Sequence, residues 1–159
     1  MIAWRNWRKI QSGERIMNAA GILQDKGGDA FGVQSTATLQ EAAQMLDEKK
    51  IGAVLVRDTG GQVCGVLSER DVARQVARQG AAALDRPVTD CMSRKVITAH
   101  PNDTLDELMS VMTDRRIRHL PVVEDNTLRG MISIGDVVKY KINEAEAEAE
   151  AMHNYIAAG

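Results

Sequence analysis

Aromatic residues make up only 3% of this 159-residue chain. A core here must therefore be aliphatic, and a stacking platform for single-stranded nucleic acid is not expected. The two cysteines, Cys64 and Cys91, form no CxxC. Nothing in that usage demands an oxidising compartment, and both read as small apolar residues in or near strands. No apolar run reaches the roughly 18 residues of a membrane-spanning helix. The opening stretch Met1–Lys9 lacks the apolar core of a signal peptide. The cytoplasm is the expected compartment. An excess of base is missing too: 20 Lys and Arg face 22 Asp and Glu, for a net charge of −2. No nucleic-acid partner is expected from that balance. Neither a nucleophile–base motif, nor metal-ligand spacing, nor a phosphate-binding glycine loop occurs. No enzyme, no metal and no catalytic cofactor are expected.

What remains is 44% apolar, enough for a globular core. The length fits one ordinary domain or two small ones. Charge is locally uneven. Arg5, Arg8, Lys9 and Arg15 cluster in the first 16 residues, which also hold both tryptophans, and residues 144–150 carry four glutamates. Residues 1–16 read as an extension ahead of the folded part. The competing reading is a short amphipathic helix docked on the body or a membrane surface.

Periodicity predicts the order of elements. A helix over 17–25 ends at Gly27-Gly28. A strand at 30–33 precedes a helix with Leu39, Ala42, Ala43 and Leu46 inward, closed by Lys49-Lys50. The nearly all-apolar run 51–56 reads as a buried strand. A turn at 58–61 returns the chain into a strand over 62–67, and Ser68 caps a helix over about 69–79. After a linker at 81–87 and a helical turn near 88–92, the order starts again. Strand 95–98 leads to a helix capped within Pro101–Thr104 that turns Leu105, Leu108, Met109 and Met112 inward. Strand 117–124, a turn at 125–126 and strand 128–132 follow, and Ser133 caps a helix to about 152. The Glu-Ala run 144–150 continues that helix, with Val137, Val138, Ile142, Met152 and Tyr155 as a weak apolar stripe suited to a dimer partner. A disordered acidic tail is the competing reading.

The repeat is arithmetical. Thr38 and Thr104 are 66 residues apart, as are Leu39 and Leu105, Ile51 and Ile117, and Val56 and Val122. Past the hairpin turn, one residue longer in the first copy, the spacing is 65: Gly65 with Gly130, Ser68 with Ser133, Asp71 with Asp136. The fold class expected is α/β (α+β): two β-α-β-β-α units packed sheet to sheet about a pseudo-twofold axis. The expected divisions are an extension at 1–16, a first unit at 17–84, a second at 85–143 and a helical tail at 144–159.

Each copy carries a glycine, a short apolar strand and Ser-x-x-Asp at a helix start. The pattern reads as a capping box. It reads equally as a seat for a phosphorylated sugar, where hydroxyl, helix N–H groups and carboxylate converge.

The second copy, Ile117-Arg118-His119-Leu120-Pro121-Val122-Val123 with Gly130-Met131-Ile132-Ser133-Ile134-Gly135-Asp136, resembles a CBS domain. So does the first, Ile51-Gly52-Ala53-Val54-Leu55-Val56 with Gly65-Val66-Leu67-Ser68-Glu69-Arg70-Asp71. Together they resemble a tandem CBS pair, the Bateman module, over about 17–143. The first copy departs at Leu55, where proline is usual, and at Gly52-Ala53, which stand in place of Arg118-His119. The resemblance implies a stand-alone, non-catalytic energy or redox sensor. Its ligand would contain adenosine and lie between the units: AMP first, with NAD(H), ATP, ADP or S-adenosylmethionine as alternatives. It also implies a homodimer and a protein target, and a structural adaptor that binds no nucleotide is the alternative. Carried over by position, Asp71 and Asp136 would take the ribose. Ser68, Ser133, Arg118, His119 and Arg70 would take phosphate. Thr38, Ile51, Gly52, Ala53, Val66, Thr104, Ile117 and Met131 would line the adenine slot.

Overall fold

Every α-helix among the described residues opens on a side-chain cap. The structure, a computed structural model, describes residues 17–158. The expected 1–16 extension lies outside that range. Asn18 caps α1 (Ala19–Lys26), Thr38 caps α2 (Leu39–Lys49), Ser68 caps α3 (Glu69–Gln79), Thr104 caps α4 (Leu105–Arg115) and Ser133 caps α5 (Ile134–Ala157). The last four are reciprocal capping boxes, in which an acid at the third helical position also accepts the cap residue's own N–H. Helices α2 and α4 end alike, on Lys50 and Arg116, each in the left-handed region at φ 54. The expected 66-residue spacing therefore holds down to backbone dihedrals.

The chain divides into two compact units, and the division does not follow chain order. One comprises residues 29–98 and the other 17–28 together with 99–158. In the 29–98 unit, β1 (Gly32–Gln34) pairs parallel with β2 (Ala53–Arg57), which pairs antiparallel with β3 (Val63–Ser68). Its core gathers Val33, Leu39, Leu46, Val54, Val56 and Leu67. Short 3-10 turns at Gly80–Asp85 and Val88–Asp90 close it with Ala83 and Val88. In the other unit, β4 (His119–Glu124) pairs antiparallel with β5 (Thr127–Ser133). Here Ala19, Ile22, Leu105, Leu108, Leu120, Val122, Ile132 and Val137 are buried. Among the described residues no aromatic side chain is in the buried core.

The hairpin turns differ in the expected way. Asp125 and Asn126 form a two-residue turn with φ 49 and 58, the positive pair that matches strand twist. The longer first turn is stitched by Asp58, whose carboxylate accepts the N–H groups of Gly60 and Gln62.

One expected strand is missing. Residues 95–98 form none; a single parallel bridge, Ala99 to Val122, stands in its place. It keeps the register of the first unit, where Val33 faces Val56. Two prolines explain the loss. In the first unit Leu55 N–H donates to Phe31 O and Ser35 N–H to Arg57 O. The corresponding positions are Pro121 and Pro101, which have no N–H to give. Only the bonds on Ala99 survive, from its N–H to Pro121 O and from Val123 N–H to its carbonyl, both 2.9 Å. Smaller corrections are that β1 starts at Gly32 and β4 at His119, two residues late in each case. The Glu-Ala run is helical, and α5 continues to Ala157 rather than fraying into a tail.

Candidate functional site

The two Ser-x-x-Asp frames fold by the same local chemistry. In the first, Ser68 Oγ accepts Asp71 N–H at 3.3 Å, and Asp71 Oδ2 accepts Ser68 N–H at 2.9 Å and its hydroxyl at 2.7 Å. In the second, Ser133 Oγ accepts Asp136 N–H at 3.2 Å, and Asp136 Oδ2 accepts Ser133 N–H at 2.9 Å. The capping reading is therefore realised at both. The acid stands at the helix mouth, where a negative charge also suits the dipole.

Strand register brings the neighbouring candidates to the same mouths. Ala53 pairs with Ser68, and His119 with Ser133. Glu69 N–H donates to Gly52 O at 3.0 Å, and Ile134 N–H to Arg118 O at 2.8 Å. Gly52-Ala53 and Arg118-His119 thus flank equivalent helix starts, and Arg118 is exposed there. Ile51 and Ile117, both half-buried, precede them. Val66 and Met131 lie on β3 and β5, paired with Leu55 and Pro121. Arg70 is exposed in the first turn of α3. Thr38 and Thr104 belong to other helix starts, where their hydroxyls are engaged with Glu41 and Glu107.

The glycine that leads each motif is a packing residue. A Cβ on Gly65 would run into Met92 Sδ and lie 3.1 Å from Ser93 O. One on Gly130 would lie 2.7 Å from Leu23 Cδ2 and 3.1 Å from Gly28 Cα. In each unit another segment crosses the strand at this point.

Sequence reasoning missed Lys26. The last residue of α1, it donates to Asp136 Oδ2 at 2.7 Å and to Met131 O at 2.9 Å. Its neighbour Asp25 accepts the Tyr140 hydroxyl at 2.8 Å, and that bond holds the phenol above its ordinary range. No periodicity links residue 26 to residue 136; the only local signal is a basic residue ending a helix. Asp71 meets a weaker cation, Arg74 on its own helix, with Nη1 3.5 Å from Oδ1. Among the described residues no group of three or more His, Cys, Asp or Glu could hold a metal ion.

Burial pushes the Asp136 carboxyl up, but the Lys26 and Ser133 hydrogen bonds and the Lys26 charge outweigh it and hold the group below 3.8. Its ionised form thus stabilises the fold above that ordinary value, and the contribution is lost as pH falls through the lowered one. Wild type should be more stable than Asp136→Asn at neutral pH. Urea melts in a pH series should show this gap closing on acidification, and a constant gap would contradict the assignment.

The CBS domain family profile matches residues 29–78 and 88–143. The CBS domain-containing protein CBSX3, mitochondrial, of Arabidopsis thaliana is 32% identical over 96% of this chain and 78% of its own. The crystal structure of the CBS-domain containing protein ATU1752 from Agrobacterium tumefaciens is 44% identical, with a TM-score of 0.77 over 79% of this chain and 94% of that one. The CBS domain protein PAE2072 from Pyrobaculum aerophilum, solved complexed with AMP, is 27% identical with a TM-score of 0.67, covering 76% and 89% of the two chains.

Proposed function

We propose a function from one premise: this chain belongs to the CBS domain family and carries two CBS domains in tandem. It is a non-catalytic regulatory module that binds an adenosine-containing ligand, AMP first and NAD(H) or ATP next. The observation that carries this reading is the duplicated frame, a carboxylate fixed at a helix mouth by its own capping serine. A ribose diol offers two hydroxyl donors to such a carboxylate, a charge-assisted pairing. Phosphate would draw on the helix N–H groups, Ser68 and Ser133, and on the cations Arg118, Arg70 and His119. Gly52, Ala53, Ile51, Ile117, Val66, Met131, Thr38 and Thr104 would bound the base. The AMP complex of the Pyrobaculum relative supports this choice of ligand.

Homodimerisation is part of the same proposal. Helix α5 exposes Val138, Ile142, Met152 and Ile156. With Ala145 and Ala149 they follow the alternating three-four spacing of a seam between two like helices. A protein target would read the module's state. We place the module in the cytoplasm, in keeping with two free cysteines. No helix of the described residues is long and apolar enough to cross a membrane.

Titration calorimetry of the full chain with AMP, ATP, NADH and S-adenosylmethionine tests the ligand class. Binding of AMP is the expected result. Silence toward all four at millimolar concentration would leave the adaptor reading, in which the frames are caps and nothing more. Native mass spectrometry reads dimer mass and any co-purified nucleotide in one measurement.

A further inference from the structure

The two frames are not equally open. Each carboxylate oxygen has two lone pairs to offer. On Asp71 Oδ2 both donors come from Ser68, and one of them is a hydroxyl, at 2.7 Å. A hydroxyl turns about its C–O bond and can redirect its hydrogen when another donor arrives. The nearby cation, Arg74, is half-exposed and lies 3.5 Å from Oδ1, too loose for a strong hydrogen bond.

On Asp136 Oδ2 the second donor is the Lys26 ammonium at 2.7 Å. It cannot turn aside so easily. A second bond, to Met131 O at 2.9 Å, fixes it in place. The preceding residue, Asp25, ties the same helix end to α5 through Tyr140. Both lone pairs of this oxygen are thus taken, one by the Ser133 N–H of the capping box and one by a tethered cation. A diol that spans both carboxylate oxygens has to remove one of the two. Removing the N–H donor would open the capping box and leave the Ser133 N–H without its acceptor, so the lysine is the one to go.

Resting on the ribose reading above, we propose that Lys26 is a built-in competitor for the ligand at Asp136. A nucleotide fills the Asp71 frame first. It reaches Asp136 only by displacing the last residue of α1. The consequence is regulatory. Occupancy of the second frame releases the end of α1 from Asp136 and Met131, so α1 registers that event and is indifferent to the first. Asp71 is then the primary ribose contact and Asp136 the secondary one.

Calorimetry with AMP on the full chain tests this. Wild type should show two unequal binding events. In an Asp71→Asn background, residual binding reports on Asp136 alone. Adding Lys26→Met should strengthen that binding roughly fivefold, the worth of a partly exposed ion pair. Lys26→Gln keeps a donor for Met131 O without the charge, guards against a folding defect in the methionine variant, and should shift affinity the same way. If Asp71→Asn leaves no measurable binding, Lys26→Met must restore it. Unchanged or weaker binding in the lysine variants overturns the inference and leaves the ligand class standing. If wild type binds none of the adenosine compounds, both fall together.

Discussion

Gly130→Val lowers the stability of the unit formed by 17–28 and 99–158 by about 1–3 kcal/mol, the usual cost of forcing extra methyl groups into a filled space. The first added carbon already meets Leu23 Cδ2 at 2.7 Å and Gly28 Cα at 3.1 Å. The leucine tip can rotate away, but the Gly28 backbone cannot without moving the end of α1. The two β-branch methyls add to that crowding on a residue that is buried. Thermal denaturation followed by circular dichroism reads the effect. Leu23→Ala should recover part of the loss in the double variant, because it empties the side that can yield. A Gly130→Val protein with an unchanged melting temperature would mean that α1 does not lie over this strand.

Asp71→Asn weakens the tightest AMP event at least tenfold. A hydrogen bond to a charged acceptor is worth roughly 1.5–3 kcal/mol, and each 1.4 kcal/mol is about a factor of ten in affinity. Asparagine keeps an oxygen for the Ser68 N–H, so the cap of α3 is weakened rather than lost. Asp136→Asn should leave the tightest event in place, since that frame fills second. Equal losses from the two variants would count against unequal frames. No loss from either would remove both acids from the ligand site.

Much of this fold is written locally. Thr38, Ser68, Thr104 and Ser133 are each followed three residues on by an acid, and each opens a helix where that pattern predicts one. The 66- and 65-residue offsets survive as shared strand register and as matching left-handed caps at Lys50 and Arg116. The misread strand at 95–98 has a local cause that was visible. Val96, Ile97 and Thr98 have strand propensity, but a strand needs donors on its partner and at its end, and Pro121 and Pro101 offer none. What periodicity could not show is which elements meet across a hundred residues. Nothing within 17–28 says that Leu23 covers Gly130 or that Lys26 reaches Asp136. The frames themselves were legible, while their inequality was not, because it rests on that distant cation.

The discontinuous unit also sets an order of events during synthesis. Helix α1 leaves the ribosome about a hundred residues before β5 and the start of α5, which hold it. At typical rates of roughly 5–20 residues per second, α1 waits about 5–20 s for its partners. Residues 29–98 are complete in the meantime. In a nascent chain whose residues 29–98 have cleared the ribosome before β5 is made, Ile22 and Leu23 of α1 are still uncovered. That is the species a chaperone would meet.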